Sequence, residues 1–177
     1  VHDLQPDSVT GFRGYLERSA AEHGGGSARV EVHDSAEALI QASDLVVFAT
    51  VASTPYVHEP ASFAHAPVVL HVSLRDLAPG ILLASANVVD DVDHCLKADT
   101  SPHLAEQLTG RRDFLDGTLA EVMAGQVVLP RDRPRIFSPF GLGVLDLAVG
   151  KWVYDQVAAG GELHVVPDFF HELRRFG

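Results

Sequence analysis

The chain has little cysteine, few basic residues and no long apolar run. Its single cysteine, Cys95, excludes an internal disulfide, so a reducing, cytoplasmic setting is the default expectation. Only 13 basic residues face 24 acidic ones, and a net charge of −11 argues against a nucleic-acid or anionic-membrane partner, because phosphate binding depends on clustered Lys and Arg. Apolar runs such as 45–49 and 67–70 are far shorter than the roughly 20 residues of a membrane span.

Metal-ligand spacing is missing as well, so we expect no metal. Four histidines in the middle of the chain have no histidine or cysteine partner at the spacing of a zinc site. These are His58, His65, His94 and His103. The acidic run 90–93 is better explained as a solvated strand end than as a cation site. Cys95 has no base beside it, which argues against a nucleophilic role.

What the chain does contain is an alternation of helical and strand-like segments. Helical periodicity covers residues 11–23, and the cap signal Asp34-Ser35 precedes a second helix. An unbroken apolar run in residues 44–50 predicts a strand buried on both faces of a parallel sheet. The other predicted strands are 28–33, 67–73, 87–91 and 135–139, with helical pieces between 95 and 125. Crossovers of this length predict an α/β fold with a doubly wound parallel sheet.

Residues at the carboxyl ends of these strands are the candidate site, because parallel sheets bind ligands there. They are Asp3, 50–53, 71–73 and 138–141. In a dinucleotide-binding fold, an acidic residue at the end of the second strand accepts hydrogen bonds from the adenosine ribose. Asp3 stands where that residue is expected, although a solvated turn residue explains it equally well.

A stretch of low side-chain bulk, IFSPFGLGVLDL at 136–147, joins the last predicted strand to a long helix. Its Ser, Pro and two glycines would let backbone N–H groups and a helix N-terminus approach a flat or anionic ligand. Close packing of the helix against a sheet is the alternative explanation for Gly141 and Gly143.

No G-x-G-x-x-G motif follows a strand in this sequence. The glycine cluster at 24–28 lies between a helix and a strand, so we expect a loop there. Because the chain opens as though on a second strand, the first strand and its glycine-rich turn are expected upstream, in a longer protein. We accordingly divide the chain into a partial nucleotide-binding domain, 1–141, and a helix and tail, 142–177, that return toward an absent domain.

Four stretches together resemble the nucleotide-binding half of the ornithine cyclodeaminase and mu-crystallin family. They are VHDLQPDS at 1–8, DSAEALIQASDLVVFATVASTPYV at 34–57, RDLAPGILLASANVVDD at 75–91 and FSPFGLGVLDLAV at 137–149. Within that family, HVSLRDLAP and IFSPFGLGVLDLAVGKWVYDQ look like the dehydrogenases of 2,3-diaminopropionate biosynthesis in particular. The resemblance implies a Rossmann-like fold, NAD as the cofactor, an amino-acid substrate and a homodimer formed through the other domain.

That branch is understood to oxidise N-(2-amino-2-carboxyethyl)-glutamate to an imine. The imine hydrolyses to 2-oxoglutarate and 2,3-diaminopropionate, a precursor of siderophores and peptide antibiotics. The resemblance also implies residue roles where positions match, with Asp3 holding the adenosine ribose. Residues along the dinucleotide would be Thr50, Val51, Ala52 and Val72, and those flanking the nicotinamide would be Ser138, Pro139, Phe140 and Gly141. Asp146 matches an acidic position on the following helix, where a structural cap partner and a catalytic group are equal alternatives.

The chain departs from true ornithine cyclodeaminases at residues 72–75. Those enzymes have a longer glycine-aspartate-proline-glycine-lysine turn, whose aspartate is the acid/base of cyclisation, whereas this chain has no carboxylate until Asp76. Ornithine cyclisation is therefore disfavoured. The polar groups left nearest the reaction centre are His71, Ser73 and Arg75. Arg75 is a candidate clamp for a substrate carboxylate, with a plain surface role as its alternative.

Two further hypotheses about the function stay open. One is a ketimine reductase or alanine dehydrogenase of the same family. The other is a binding protein that keeps the nucleotide fold without turnover, as mu-crystallin-like members illustrate.

Overall fold

A computed structural model describes residues 1–23 and 29–167 of the protein. Within them, five strands form one parallel sheet in the order β1-β2-β5-β3-β4. The strands are β1 Leu45–Phe48, β2 Val68–His71, β3 Ala86–Val89, β4 Leu115–Thr118 and β5 Arg135–Ser138. The helices are α1 Pro6–His23, α2 Ala36–Gln41, α3 Pro79–Leu83, α4 Val92–Cys95, α5 Ser101–Thr109, α6 Leu119–Met123 and α7 Gly143–Ala159, with a 3₁₀ turn at Pro60–Phe63. The predicted α/β class and parallel sheet are confirmed.

The last strand, β5, enters the sheet between β2 and β3, where it is shielded from water. Its central residue Ile136 pairs with Val69 on one side and Asn87 on the other, and it is almost fully buried. Register also places Ser138 level with Val89 at the end of β3. The carboxyl ends of β2, β5 and β3 therefore meet at one edge of the sheet.

The core lies under one face of the sheet, where alternate strand residues meet the helices. Val46 and Val69 pack in one cluster with Ile40 of α2 and with Ile81 and Leu82 of α3. Burying each such side chain stabilises the fold by about 1.5–3 kcal/mol. The short helices are fixed by local caps as well as by this burial: Ser35, as predicted, accepts the Ala38 N–H at the start of α2.

Strand β1 differs from its prediction. Val46 and Phe48 are buried, but Leu45 and Val47 are 56% and 55% exposed, so the prediction of burial on both faces is wrong. Among the described strands β1 pairs with β2 alone and forms an edge. An apolar run cannot by itself distinguish a central strand from an edge strand whose second face is open.

The amino-terminal segment also departs from the sequence prediction. Helix α1 begins at Pro6 rather than at residue 11, with proline at a favourable first position, and it ends at His23 as expected. No strand forms within 29–33, so that prediction is wrong for the described residues, while Ala28 and the predicted glycine loop at 24–28 lie outside them. Two bonds typical of a parallel pair nevertheless join Val1 to this segment, one to Glu31 O (2.6 Å) and one from His33 N (2.9 Å).

Strand β4 was not predicted at all. Its sequence, LDGT, has neither alternation nor an apolar run. The pairing with β3 is irregular at Asn87, whose N–H is accepted by the Asp116 carboxylate (2.8 Å). Thr118 then caps α6 through a reciprocal capping box with Glu121.

Contacts divide the chain into two units, Val1–Phe140 and Gly141–Gly177. The first contains the whole sheet. The described part of the second contains α7, whose apolar side chains are largely exposed: Val144, Leu145, Leu147, Val149, Trp152 and Val153. Within the described residues, no helix has the length and apolar character needed to cross a membrane.

Candidate functional site

A buried carboxylate, Asp76, lies at the carboxyl edge of the sheet. Its side chain is 0% exposed and accepts hydrogen bonds from the hydroxyls of Thr50 and Ser73. Nε2 of His71 lies 3.1 Å from the Asp76 Oδ2 atom. Thr50 follows β1, whereas His71 and Ser73 end and follow β2, so two strands supply these partners. A buried charge is costly unless it is hydrogen-bonded, and this one is bonded on both oxygens.

The backbone around Asp76 explains how the carboxylate reaches this position. Its carbonyl oxygen accepts the N–H groups of Tyr56 (3.1 Å) and Val57 (3.0 Å). Ala78 N in turn donates to Val57 O (2.9 Å), and Val57 forms a parallel bridge with Leu77. The loops that follow β1 and β2 are therefore joined to each other, and this junction turns the Asp76 side chain toward the ends of both strands.

His71 extends the network from β2 to β5. The imidazole is fully buried, and its ring stands edge-on to Phe48 with centroids 5.9 Å apart. Its Nδ1 atom lies 3.2 Å from the Ser138 hydroxyl, while the Ser138 carbonyl accepts the Cys95 thiol (3.4 Å). A continuous path of hydrogen bonds thus connects Ser138, His71 and Asp76 across two neighbouring strands.

The electrostatics of the cluster favour an ionised carboxylate. Burial acts to raise the pKa of Asp76, but hydrogen bonds from His71, Ser73 and Thr50 outweigh it and lower the pKa to about 2. Burial, followed by the charge and hydrogen bond of Asp76, raises the pKa of Tyr56 well above its usual range. At neutral pH the carboxylate is therefore an acceptor only, and the Tyr56 phenol keeps its proton.

Four residues singled out in the sequence come together in this cluster: Thr50, His71, Ser73 and Ser138. The remaining predicted contacts line the loops around it. Ala52 N donates to the Thr50 hydroxyl (3.2 Å), and Val51 and Val72 beside it are exposed. After β5, Phe140 N donates to the Asp90 carboxylate (3.0 Å), which ties the half-buried 139–140 segment to the end of β3.

Arg75 and Asp3 make their hydrogen bonds away from the Asp76 cluster. The Arg75 guanidinium donates through Nε (3.2 Å) and Nη2 (2.5 Å) to the Ala98 carbonyl, which favours the surface role over the clamp. Asp3 is exposed, and its carboxylate accepts the Gln5 N–H (2.7 Å) in the turn before α1. Its assignment to the adenosine ribose stays a prediction.

Sequence reasoning missed Asp76 and Tyr56. In the sequence, Asp76 stands out only as the first carboxylate after the shortened turn. The signal that could have found it is the pattern His-x-Ser-x-x-Asp directly after a buried strand, which places three hydrogen-bonding groups on one tight turn. Tyr56 has no such signal, because its place depends on the junction between two loops.

Gly141 is explained by its own backbone. Its φ is +100°, a conformation that residues with side chains rarely adopt, whereas no positive φ occurs at Gly143. The turn after β5 therefore requires glycine at position 141 for conformational reasons, without any need for close packing. Asp146 lies exposed in the first turn of α7, where Leu142 is the cap residue and makes no side-chain cap bond.

A separate open cavity of about 580 Å³ lies at the opposite edge of the sheet, near the amino ends of β3, β4 and β5. Its lining residues are Leu83, Ser85, Thr109, Arg111, Asp113, Phe114, Asp116 and Arg133. Parallel sheets bind their ligands at the carboxyl ends of the strands. We therefore place the candidate site at the Asp76 cluster rather than in this cavity.

Known proteins similar to the chain were found among solved structures, whereas no protein-family model and no curated protein matches it. CmnK is 33% identical, with a TM-score of 0.66 over 87% of this chain and 48% of that one. The Δ1-pyrroline-2-carboxylate reductase of Thermococcus litoralis, in complex with NADH and L-proline, is 21% identical with a TM-score of 0.78, over 94% and 52%. A probable ornithine cyclodeaminase from Bordetella pertussis Tohama I is 25% identical with a TM-score of 0.63, over 86% and 50%.

The chain spans about half the length of each of these structures. The likeness to the Thermococcus reductase, at 21% identity, bears on the fold. Together with the five parallel strands, it confirms the predicted architecture. The chain has a Rossmann-like α/β fold.

Proposed function

We propose that the chain is the NAD-binding part of an oxidoreductase of the ornithine cyclodeaminase and mu-crystallin family. The observation that carries the proposal is the meeting of Thr50, His71, Ser73 and Ser138 at the carboxyl edge of a Rossmann-like sheet. This edge is where such folds hold nucleotides. The similar structures from Thermococcus, which holds NADH, and Bordetella support the cofactor and the family.

The residues at this edge fit a dinucleotide in their chemistry. Val51 and Val72 expose apolar surface beside the hydroxyls of Thr50 and Ser73, a combination that suits a flat, hydrogen-bonding ring. NAD, when bound, would supply the hydride acceptor. The chain's own residues would bind and orient the cofactor and keep the protons of the buried cluster in fixed positions.

The proposed substrate is a secondary amine derived from amino acids, of the N-(2-amino-2-carboxyethyl)-glutamate type. Its oxidation gives an imine that hydrolyses to 2-oxoglutarate and 2,3-diaminopropionate. The resemblance of HVSLRDLAP and of the 136–156 stretch to that branch supports this substrate. Asp76 supports it too: the carboxylate nearest the shortened turn is fully buried and bonded on both oxygens, which disfavours a role as the acid/base of ornithine cyclisation.

We also propose that the protein is a homodimer formed through its other domain, with the segment 142–177 leading toward that domain. Helix α7 supports this, because Leu147, Val149 and Trp152 are 61–75% exposed although they are large and apolar. A helix that is apolar on all sides is normally buried in the complete protein. A longer chain is consistent with similar structures of about twice this length.

The likeness to the Thermococcus reductase favours a second candidate, a reductase of cyclic imines of the same family. It would use the same edge of the sheet and the same cofactor, with the hydride moving in the opposite direction. Substrate identity separates the two candidates, because the first releases two products from an open-chain imine and the second gives a single cyclic amine.

The test is turnover by the full-length protein. It is mixed with N-(2-amino-2-carboxyethyl)-glutamate and NAD, NADH is followed by its near-ultraviolet absorbance, and the products are identified by mass spectrometry. We expect NADH together with 2-oxoglutarate and 2,3-diaminopropionate. NAD should be preferred to NADP, because an Asp at the position of Asp3 accepts hydrogen bonds from a ribose hydroxyl and repels a 2′-phosphate.

Parallel reactions with L-ornithine, L-alanine and, in the reducing direction, cyclic imines distinguish the rival activities. Proline formed from ornithine would contradict the proposal, and so would a cyclic imine turned over in preference to the open-chain amine. NAD binding without turnover of any of these compounds would favour a binding protein. Equal use of NAD and NADP would remove the role assigned to Asp3.

A further inference from the structure

The ionised Asp76 carboxylate sets the direction of the hydroxyls that contact it, and the protonated Tyr56 phenol lies beside the same carboxylate. An ionised carboxylate donates nothing, so the Thr50 and Ser73 hydroxyls must both donate to it. Each hydroxyl has a single hydrogen, and that hydrogen is thereby used. Both oxygens can then only accept further hydrogen bonds, as the Thr50 oxygen already does from Ala52 N (3.2 Å).

Two groups compete for Nε2 of His71, and the charge of Asp76 decides between them. The Asp76 carboxylate lies 3.1 Å from Nε2, and the Asp76 backbone N–H, which a bare Nε2 could accept, points at the same atom from 3.3 Å. A bare Nε2 would set its lone pair against the negative charge, whereas Nε2–H makes a charge-assisted bond with the nearer group. In neutral His71, Nδ1 then accepts the hydrogen of the Ser138 hydroxyl at 3.2 Å.

We propose that Asp76 is a positioning residue that makes the Thr50 and Ser73 hydroxyls hydrogen-bond acceptors, so that this edge of the sheet binds N–H groups of a ligand. Thr50 is an exposed residue and Ser73 a half-buried one, so neither is enclosed by the rest of the described chain. A carboxylate or phosphate placed there would meet lone pairs and the charge beneath them, and it would be repelled.

The inference rests on the proposed function, which offers two sources of N–H groups. One is the carboxamide of the nicotinamide, and the other is the amino group of the substrate. Both present a donor to an acceptor oxygen, so the geometry of the cluster accommodates either. Experiments can distinguish the two sources. A bond to the carboxamide contributes to the affinity for NAD, whereas a bond to the amino group contributes to the KM of the amine substrate.

The decisive variant is Asp76→Asn in the full-length protein. Asparagine has nearly the same size, but its NH₂ group donates, so one of the two hydroxyls must reverse and point its hydrogen outward. A donor of the ligand then loses its acceptor. We expect the affinity for NAD, measured by calorimetry, to fall about tenfold or more if the carboxamide is bound here. A rise of about tenfold in the KM of the amine substrate, with unchanged affinity for NAD, would assign the site to the substrate amine.

Two comparisons make this result specific. The acetylpyridine analogue of NAD has a methyl group in place of the carboxamide NH₂, so its affinity should not respond to Asp76→Asn if the carboxamide is the partner. Asp113→Asn serves as the matched control, because Asp113 is exposed and ion-paired with Arg111 near the opposite edge of the sheet. That control should leave both NAD affinity and KM unchanged.

A measurement without ligand keeps the inference independent of turnover and of the variant's folding. Nitrogen-15 NMR of histidine-labelled wild-type protein, with His71→Gln for assignment, should show His71 as the Nε2–H tautomer. An Nδ1–H tautomer in the wild type would overturn the inference, as would a folded Asp76→Asn protein with unchanged NAD affinity and KM. The Nε2–H tautomer in a protein that fails to bind NAD would instead contradict the proposed function.

Discussion

Replacing His71 by alanine is expected to lower the free energy of unfolding by at least about 1.5–3 kcal/mol, the contribution of a hydrogen bond to a charged group. The imidazole is completely buried and contributes one of the three side-chain bonds that hold Asp76 ionised. Its loss also leaves the Ser138 hydroxyl without the Nδ1 contact and opens a cavity beside Phe48. Denaturant unfolding of the full-length protein measures the change as a shift in the midpoint.

The matched control is the same substitution at exposed His58, where a change within about 0.5 kcal/mol is expected of a surface site. Equal effects of His71→Ala and His58→Ala would contradict the account of the cluster. Such a result would mean that the hydroxyls alone satisfy the carboxylate, and that the path from Asp76 to Ser138 makes no net contribution to stability.

Replacing Gly141 by valine is expected to lower the affinity for NAD about 5- to 150-fold. The backbone at this position has φ +100°, which a β-branched residue adopts only at a cost of about 1–3 kcal/mol. The family resemblance assigns Gly141 to the nicotinamide, so a turn that relaxes to avoid the strain no longer presents the shape that the cofactor needs. Each 1.4 kcal/mol of that strain corresponds to a tenfold change in affinity.

Gly143→Val is the control for this prediction. An added Cβ meets no described heavy atom within 4 Å at either glycine, so the two positions differ in backbone conformation rather than in space. Calorimetric titration with NAD should give wild-type affinity for Gly143→Val. Wild-type affinity for Gly141→Val as well would show that this turn takes no part in cofactor binding.

Much of the sheet could be predicted because its strands are short apolar runs ended by polar residues. This is true of β2 and β5, whose ends provide the predicted candidates His71 and Ser138. Prediction from apolar runs failed for β4, because the position of LDGT in the sheet depends on its pairing with β3 and on the Asp116 contact with Asn87. Those contacts are tertiary, so the local pattern of apolar and polar residues does not reveal them.

The residues of the candidate site also fall into a group that the sequence predicts and a group that it does not. Thr50, His71 and Ser138 were accessible to prediction because parallel strands all end at one edge. The central group, Asp76, was not, because its position depends on a bridge between two loops, Val57 with Leu77. Strand periodicity places residues on faces and at ends, whereas the path of a connecting loop follows from the packing of the whole domain.

Hydrogen exchange of the full-length protein with and without NAD tests the central claim most directly, since it reports where along the chain the cofactor slows exchange of backbone amides. The account predicts slower exchange at the carboxyl edge of the sheet, in segments 50–53, 71–76 and 138–141. It predicts no change around the opposite cavity, in segments 83–85 and 109–116. Protection confined to that cavity, with the carboxyl edge unaffected, would contradict the assignment of the site.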